Sequence, residues 1–170
     1  MVVETIRKDY DKGGLWNPDT GRFAWAIFDQ ESLDGDEGEA LDYGYTEINL
    51  IAVIEGIANA EQTQSIMSWI DGTRIVDGDD SQGEDIYFFQ FAPRLHTKDA
   101  AGSSNSVVEL KTFGTDIQNG GSSIHVAYYD LIARNKVYGV DNSFERFKKI
   151  QKWYEEVKTY GGEDSSLYRA

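Results

Sequence analysis

The chain contains 170 residues, close to the commonest size of a single domain and too short for two complete ones. Hydrophobic residues make up 40 % and aromatic residues 13 %, which is enough apolar material for a core and excludes disorder as a global description. The sequence has no cysteine, so disulfides, thiolate zinc sites and cysteine nucleophiles are excluded. No run of eighteen apolar residues and no signal-peptide pattern occurs. We therefore expect no membrane partner, and both a cytoplasmic location and secretion after leader removal stay open.

The formal net charge is −14, and it is unevenly distributed. Residues 1–118 carry −15 and residues 119–170 carry +1. Such a negative field repels phosphate backbones and anionic lipid surfaces. We expect no nucleic-acid partner, whereas neutral sugars and metal cations remain compatible with this charge.

A short β-hairpin is predicted near the start of the chain. Residues 17–21 (NPDTG) combine Pro18, which presets a turn, with Gly21, which tolerates positive φ, and apolar residues flank them on both sides. Residues 29–42 then carry seven carboxylates and two glycines. This composition is typical of a solvated loop.

The next two segments predict a helical hairpin. Residues 45–58 are apolar on nearly every side, which indicates a buried inner helix. Asn59 and Gln62 form a capping-box pattern that opens a second helix, and Asp71 with Gly72 is placed to end it.

Residues 73–121 read as loops with one or two short strands. The acidic residues 77–85 do not match an EF-hand, because Gln82 stands at the glycine position and Phe88 at the position of the bidentate glutamate. His96 and His125 lack the neighbouring ligands that zinc requires. No cofactor is predicted, and only an irregular calcium site stays compatible with the sequence.

A second helical hairpin follows Gly120 and Gly121. Ser122 or Ser123 is expected to cap a helix over residues 124–138, apolar on most sides, with His125 a hydrogen-bonded core residue and Gly139 at its end. Asn142 and Glu145 then predict the cap of an amphipathic helix that ends at residues 161–162. Its expected apolar face consists of Phe144, Phe147, Ile150, Tyr154 and Val157.

These elements predict a mainly α fold built from helical hairpins of the (α/α) toroid type, with long loops and short β segments. The expected organisation is a single domain, or a fragment of a larger one, in four parts. These are a hairpin and acidic loop (1–43), helical hairpin 1 (44–72), loops and short strands (73–121) and helical hairpin 2 (122–162). Two hairpins do not close a ring, so the toroid is incomplete. We expect self-association or a missing remainder of the domain.

Six segments stand out along the chain: residues 42–50 (DYGYTEINL), 69–75 (WIDGTRI), 85–87 (DIY), 91–94 (FAPR), 118–121 (QNGG) and 128–131 (YYDL). Together they resemble the catalytic domain of six-hairpin glycosidases, the superfamily of α-L-rhamnosidase-like hydrolases and related sugar phosphorylases. The resemblance covers most of the chain, in the family's order. It implies an (α/α)6 toroid and action on a glycosidic bond, although the chain has only about half the length that twelve helices need.

Glycoside hydrolysis normally needs two carboxyl groups. Four carboxylates are candidates for these roles because of where they lie relative to the predicted elements. Asp42 and Glu47 lie at the buried start of the first inner helix, where desolvation favours the protonated form of a general acid. The alternatives are a helix cap for Asp42 and stabilisation of the helix dipole for Glu47. Glu84 and Asp85 precede an apolar run that could place them at a cleft, or they belong to a solvated turn.

The expected substrate-binding residues are polar or aromatic. Asn119 offers an amide before two glycines and a helix N-terminus, and an ordinary loop is its alternative. Gln118 stands where related phosphorylases carry glutamate, and it hydrogen-bonds but cannot act as a base. Arg94 lies at the far end of the apolar run. The aromatic candidates, which equally suit a core, are Trp16, Trp25, Tyr43 and Tyr45.

The sequence therefore predicts a glycoside hydrolase, or a fragment of one, that acts on a carbohydrate ligand by carboxylate acid and base catalysis. The alternative is a noncatalytic helical module for carbohydrate binding or assembly. Hydrolysis by the isolated chain would separate the two.

Overall fold

The computed structural model of the protein describes residues 2–27, 40–42, 44–79 and 124–161. These residues are mostly helical, which confirms the predicted mainly α class. The α-helices are α1 (Val2–Ile6), α2 (Thr46–Ile54), α3 (Ala60–Ile70), α4 (Ile124–Tyr138) and α5 (Val140–Gly161). A short 3-10 helix spans Tyr10–Lys12, and the strands are β1 (Trp16–Asn17), β2 (Arg22–Phe23), β3 (Ala26–Ile27) and β4 (Ala40–Leu41).

The predicted β-hairpin is present. Strands β1 and β2 pair antiparallel, with Trp16 opposite Phe23, and the two rings meet edge to face at 5.0 Å. One side chain of helix α2 continues the hydrogen bonding of this hairpin. Asn49 accepts a hydrogen bond from the backbone N–H of Phe23 at 2.8 Å and donates one to its carbonyl at 3.2 Å. The amide thus replaces a neighbouring strand and attaches the hairpin to the helix.

A second antiparallel pair, β3 with β4, joins the two ends of the predicted acidic loop, with Ala26 opposite Leu41. This pairing brings Asp42 back beside the first hairpin although twenty residues separate it from Arg22. The loop itself, residues 28–39, lies outside the described residues.

The first helical hairpin follows the sequence prediction closely at α3 and less closely at α2. The capping box forms as expected, since Gln62 N–H donates to Asn59 Oδ1 at 2.9 Å and Asn59 N–H donates to Gln62 Oε1 at 3.1 Å. Helix α2 ends at Ile54, four residues before the predicted end, because the chain turns through Gly56 at φ 69°. Its N-cap is Tyr45, so Asp42 does not cap this helix, which was the alternative to its catalytic role.

The second helical hairpin has the predicted α4 and a longer α5. Helix α4 spans the predicted residues and ends at Tyr138, directly before Gly139, which has φ 90°. Helix α5 begins at Val140, so Asn142 lies inside its first turn instead of capping it. Gly139 alone connects α4 to α5 and lets the chain reverse its direction. The two helices pack against each other.

Burial in this hairpin differs from the prediction. The His125 side chain is 61 % exposed, so its assignment to the core is wrong, and Tyr128 is exposed as well. On α5, Phe144 and Phe147 are exposed and Ile150 is buried. Helix α4 is therefore not buried on most sides, and the apolar residues of α5 do not form one buried face.

The core lies between β2, α2, α3 and α4. Its completely buried side chains include Trp69, Ile66 and Met67 from α3 and Leu50 from α2. Burying an apolar side chain of this size contributes about 1.5–3 kcal/mol each. The main core cluster is Phe23, Leu50, Ala52, Val53, Ala58, Ile66, Met67, Trp69, Ile70, Val76, Val126 and Ala133.

Among the helices in the described part of the chain, none combines the length and the hydropathy needed to cross a lipid bilayer. The predictions for residues 80–123, including the helix cap at Ser122 or Ser123, lie outside the described residues.

Candidate functional site

A buried ion network joins the first β-hairpin to the region after α3. The guanidinium of Arg22 binds Asp42 through Nε at 2.6 Å and Asp79 through both terminal nitrogens, the second at 3.0 Å. Trp69 N–H also donates to Asp79, at 3.0 Å, and its ring lies 4.7 Å from the guanidinium carbon. All these side chains are almost completely buried, so the network holds three distant segments together.

Asp42 lies at the edge of this network, and both of its carboxylate oxygens accept hydrogen bonds. Besides Arg22, it accepts hydrogen bonds from the amide of Asn17 at 2.9 Å, the hydroxyl of Thr20 and the backbone N–H of Gly44 at 3.3 Å. A carboxylate has about four acceptor positions, and four donors occupy them here. This arrangement favours a structural role for Asp42 over proton transfer to a ligand.

Burial shifts two pKa values near this network. Desolvation raises the pKa of Asp79 above its ordinary value, although the hydrogen bonds and charge of Arg22 oppose the shift. Desolvation, together with the charge of Arg22, lowers the pKa of Arg74. Arg74 donates to the carbonyls of Thr20 and Gly21, so a second cation supports the same turn.

A second network connects α3, α4 and α5. Asp130 is completely buried and pairs with Arg134 at 2.8 Å and Arg146 at 3.1 Å. Arg134 also binds Asp71 at the end of α3, and the Tyr138 hydroxyl donates to Asp71 at 3.4 Å. Each charge has an opposite charge within contact distance, which is the arrangement of a structural network.

Glu47 is the predicted catalytic residue that the described structure leaves accessible. It lies in the first turn of α2 with 29 % of its side chain exposed, and its Oε1 is 3.2 Å from Nε2 of His125 on α4. His125 in turn meets the ring of Tyr129 edge to face at 5.4 Å. The sequence pattern missed this pairing because 78 residues separate the two side chains. A carboxyl beside an imidazole is suited to proton exchange with a ligand.

Two aromatic residues lie at the same end of α2. Trp25 is 54 % exposed and packs against the predicted substrate-binding residue Tyr45 at 5.5 Å between ring centres, with the planes tilted by 43°. Beside them is a cavity of about 200 Å³ whose lining is almost wholly apolar and includes Trp25, Ile48 and Ile51. Such a surface accepts the apolar face of a ligand and offers few hydrogen bonds to its hydroxyl groups.

The remaining predicted site residues lie outside the described residues. They are Tyr43, Glu84, Asp85, Arg94, Gln118 and Asn119. Their roles stay predictions.

No cluster of three or more His, Asp or Glu side chains suited to a metal ion occurs within residues 2–27, 40–42, 44–79 and 124–161. No family model, curated protein or solved structure matches this chain.

Proposed function

We propose that this chain is a carbohydrate-active protein, part of a glycoside hydrolase of the (α/α) toroid type, and that it contacts sugar at the N-terminal end of α2. The observation that carries the proposal is the accessible Glu47–His125 pair, because Glu47 lies two residues after Tyr45, the partner of the exposed Trp25. Exposed tryptophan commonly packs on the C–H face of a pyranose, and a carboxyl supplies the proton that cleavage requires.

In this proposal Glu47 delivers a proton to the leaving glycosidic oxygen, and His125, 3.2 Å away, then passes a proton from solvent back to Glu47. Asp42 is a positioning residue, because four donors already occupy its oxygens and Arg22 holds it in the buried network. Glu84 and Asp85 remain the candidates for the second carboxyl, which acts on water or as a nucleophile.

Release of reducing sugar from a panel of aryl glycosides and oligosaccharides tests the catalytic proposal. We expect Glu47→Gln to lower turnover at least about a hundredfold, the usual contribution of a general acid. Glu61→Gln is the matched control, since Glu61 is an exposed glutamate in the first turn of α3. Equal activity in both variants would contradict the role of Glu47.

Sugar binding tests the aromatic contact separately. Trp25→Ala should weaken affinity about tenfold, from the loss of one stacking contact. The control Tyr154→Ala removes another half-exposed aromatic side chain, on α5. Saturable binding that Trp25→Ala weakens, without turnover of any substrate, would favour the noncatalytic alternative. Absence of both binding and turnover would refute a carbohydrate function for the chain.

A further inference from the structure

Helix α5 carries an exposed apolar stripe, here called the α5 stripe, formed by Val140, Phe144, Phe147 and Tyr154. Their exposed fractions are 69, 56, 48 and 45 %. Spacings of four, three and seven residues place all four on one side of the helix, and Gln151 fills the intermediate position. Alternating steps of three and four residues are the pattern of a helix that packs along a second helix.

The other side of α5 already has its partner. Arg146 and Ile150 are buried and face α4, and Ser143 donates a hydrogen bond to the Leu131 carbonyl at 2.8 Å. Phe144 and Phe147 lie beside this contact, on a part of the helix surface that stays about half exposed.

A groove between α4 and α5 extends this apolar surface. It has a volume of about 410 Å³, and its lining includes Tyr128, Ile132, Phe144 and Phe147. Single exposed apolar residues are ordinary, but a continuous surface of this kind marks an interaction site.

We propose that the α5 stripe binds the same stripe of a second copy of this chain, with the two helices antiparallel about a two-fold axis near residues 145 and 146. This register places Phe144 of each copy opposite Phe147 of the other, so both aromatic pairs lie at the centre of the interface. It follows from α5 alone and does not depend on the proposed carbohydrate function.

Charge complementarity selects the second copy and its direction. Asp141 and Lys148 are both exposed, lie seven residues apart and therefore share one flank of the stripe. The Lys148 ammonium already lies 5.4 Å from the Phe144 ring centre. An antiparallel pair faces this flank of both copies toward each other and brings each Asp141 near Lys148 of the other copy, which also pairs with Glu145 of its own helix at 2.6 Å. In a parallel pair this flank would face the opposite flank, and Asp141 and Lys148 would not meet.

The buried area indicates a weak dimer. Three half-exposed aromatic side chains and one valine offer about 400 Å² per copy, so about 800 Å² from two copies before flanking side chains are counted. This is below the roughly 1,200 Å² of stable specific interfaces, so we expect a weak dimer with a dissociation constant on the order of 10 µM.

Sedimentation velocity of the full chain over a concentration series tests the interface. Wild type should pass from monomer to dimer, and Phe147→Glu should weaken the dimer at least about a hundredfold because the substitution charges both central contacts. Lys149→Glu, on an exposed position on the opposite side of α5 from the stripe, is the control and should change it less than about threefold. Circular dichroism verifies that both variants stay helical. Monomers at every concentration up to about 0.5 mM, or a dimer that Phe147→Glu leaves intact, would overturn the proposal.

A charge exchange tests the antiparallel register. Asp141→Lys and Lys148→Asp should each weaken self-association about tenfold, because each variant opposes like charges twice. Mixing the two variants restores both opposite-charge pairs and should give a heterodimer with close to the wild-type affinity. Heterodimers no tighter than either homodimer would refute this register. If a different segment mediates the dimer, the Phe147→Glu variant will associate as strongly as the wild type.

Discussion

Asp42→Asn distinguishes a structural aspartate from a catalytic one. The substitution keeps the shape of the side chain and removes the charge that faces the buried Arg22. Asparagine retains one acceptor oxygen, which serves Arg22 and the Gly44 N–H, but its NH2 group would face the donors of Asn17 and Thr20. In the variant, the Thr20 hydroxyl can rotate and accept a hydrogen bond from this NH2 group. The Asn17 amide can accept one only if its side chain turns by about 180° and exchanges its oxygen and nitrogen.

The expected loss follows from these contacts. Hydrogen bonds to a charged group contribute about 1.5–3 kcal/mol each, and about two are lost or weakened. We therefore expect Asp42→Asn to lower the free energy of unfolding by about 3 kcal/mol, at the lower end of the cost of breaking a buried ion pair. For a chain of this length, that corresponds to a decrease in Tm of about 6–12 °C.

Thermal and urea unfolding followed by circular dichroism measure this loss. The matched control is Asp19→Asn in the same turn, because the Asp19 side chain is exposed and only its backbone N–H bonds to Asn17. We expect that control to stay within about 0.5 kcal/mol of wild type. A Tm for Asp42→Asn within about 1 °C of wild type, together with loss of glycoside turnover, would refute the structural reading and assign Asp42 to catalysis.

Three further predictions concern local structure. Gly14→Ala should destabilise the protein by about 1–3 kcal/mol in urea unfolding, because the new Cβ would lie 1.9 Å from the carbonyl oxygen of Lys8; wild-type stability would contradict this close approach. Asn59→Ala removes the side chain that caps α3 and should cost about 1 kcal/mol, whereas Asn59→Ser should restore most of the loss. Desolvation, followed by the charge of Asp71, raises the pKa of Tyr138 above 10.0. Because the folded state holds the phenolic proton of Tyr138 more tightly than the unfolded chain, this group stabilises the fold fully below pH 10.0, and the contribution is lost as pH rises through the raised pKa. Tyr138→Phe should therefore flatten the decline of Tm at alkaline pH. An unchanged profile of Tm against pH would contradict this.

The elements that the sequence determined by itself are those whose signals lie within a few residues. Asn59 and Gln62 are three positions apart and begin α3 where the capping pattern predicts it. Gly72, which follows the C-cap of α3, and Gly139, which follows α4, adopt positive φ, where glycine is the residue that tolerates it. The turn around Pro18 likewise predicts the first β-hairpin. Each of these features depends on backbone conformation and hydrogen bonds between near neighbours.

Only the tertiary structure decided which polar groups are buried and which apolar ones are exposed. Arg22, Asp42 and Asp79 form one network although 57 residues separate the first from the last, and no local pattern encodes that contact. Periodicity showed that Phe144 and Phe147 share a side of α5, but it could not show that α4 packs against the side of Arg146 instead. Burial depends on which element lies opposite, and that choice is made by contacts between distant residues.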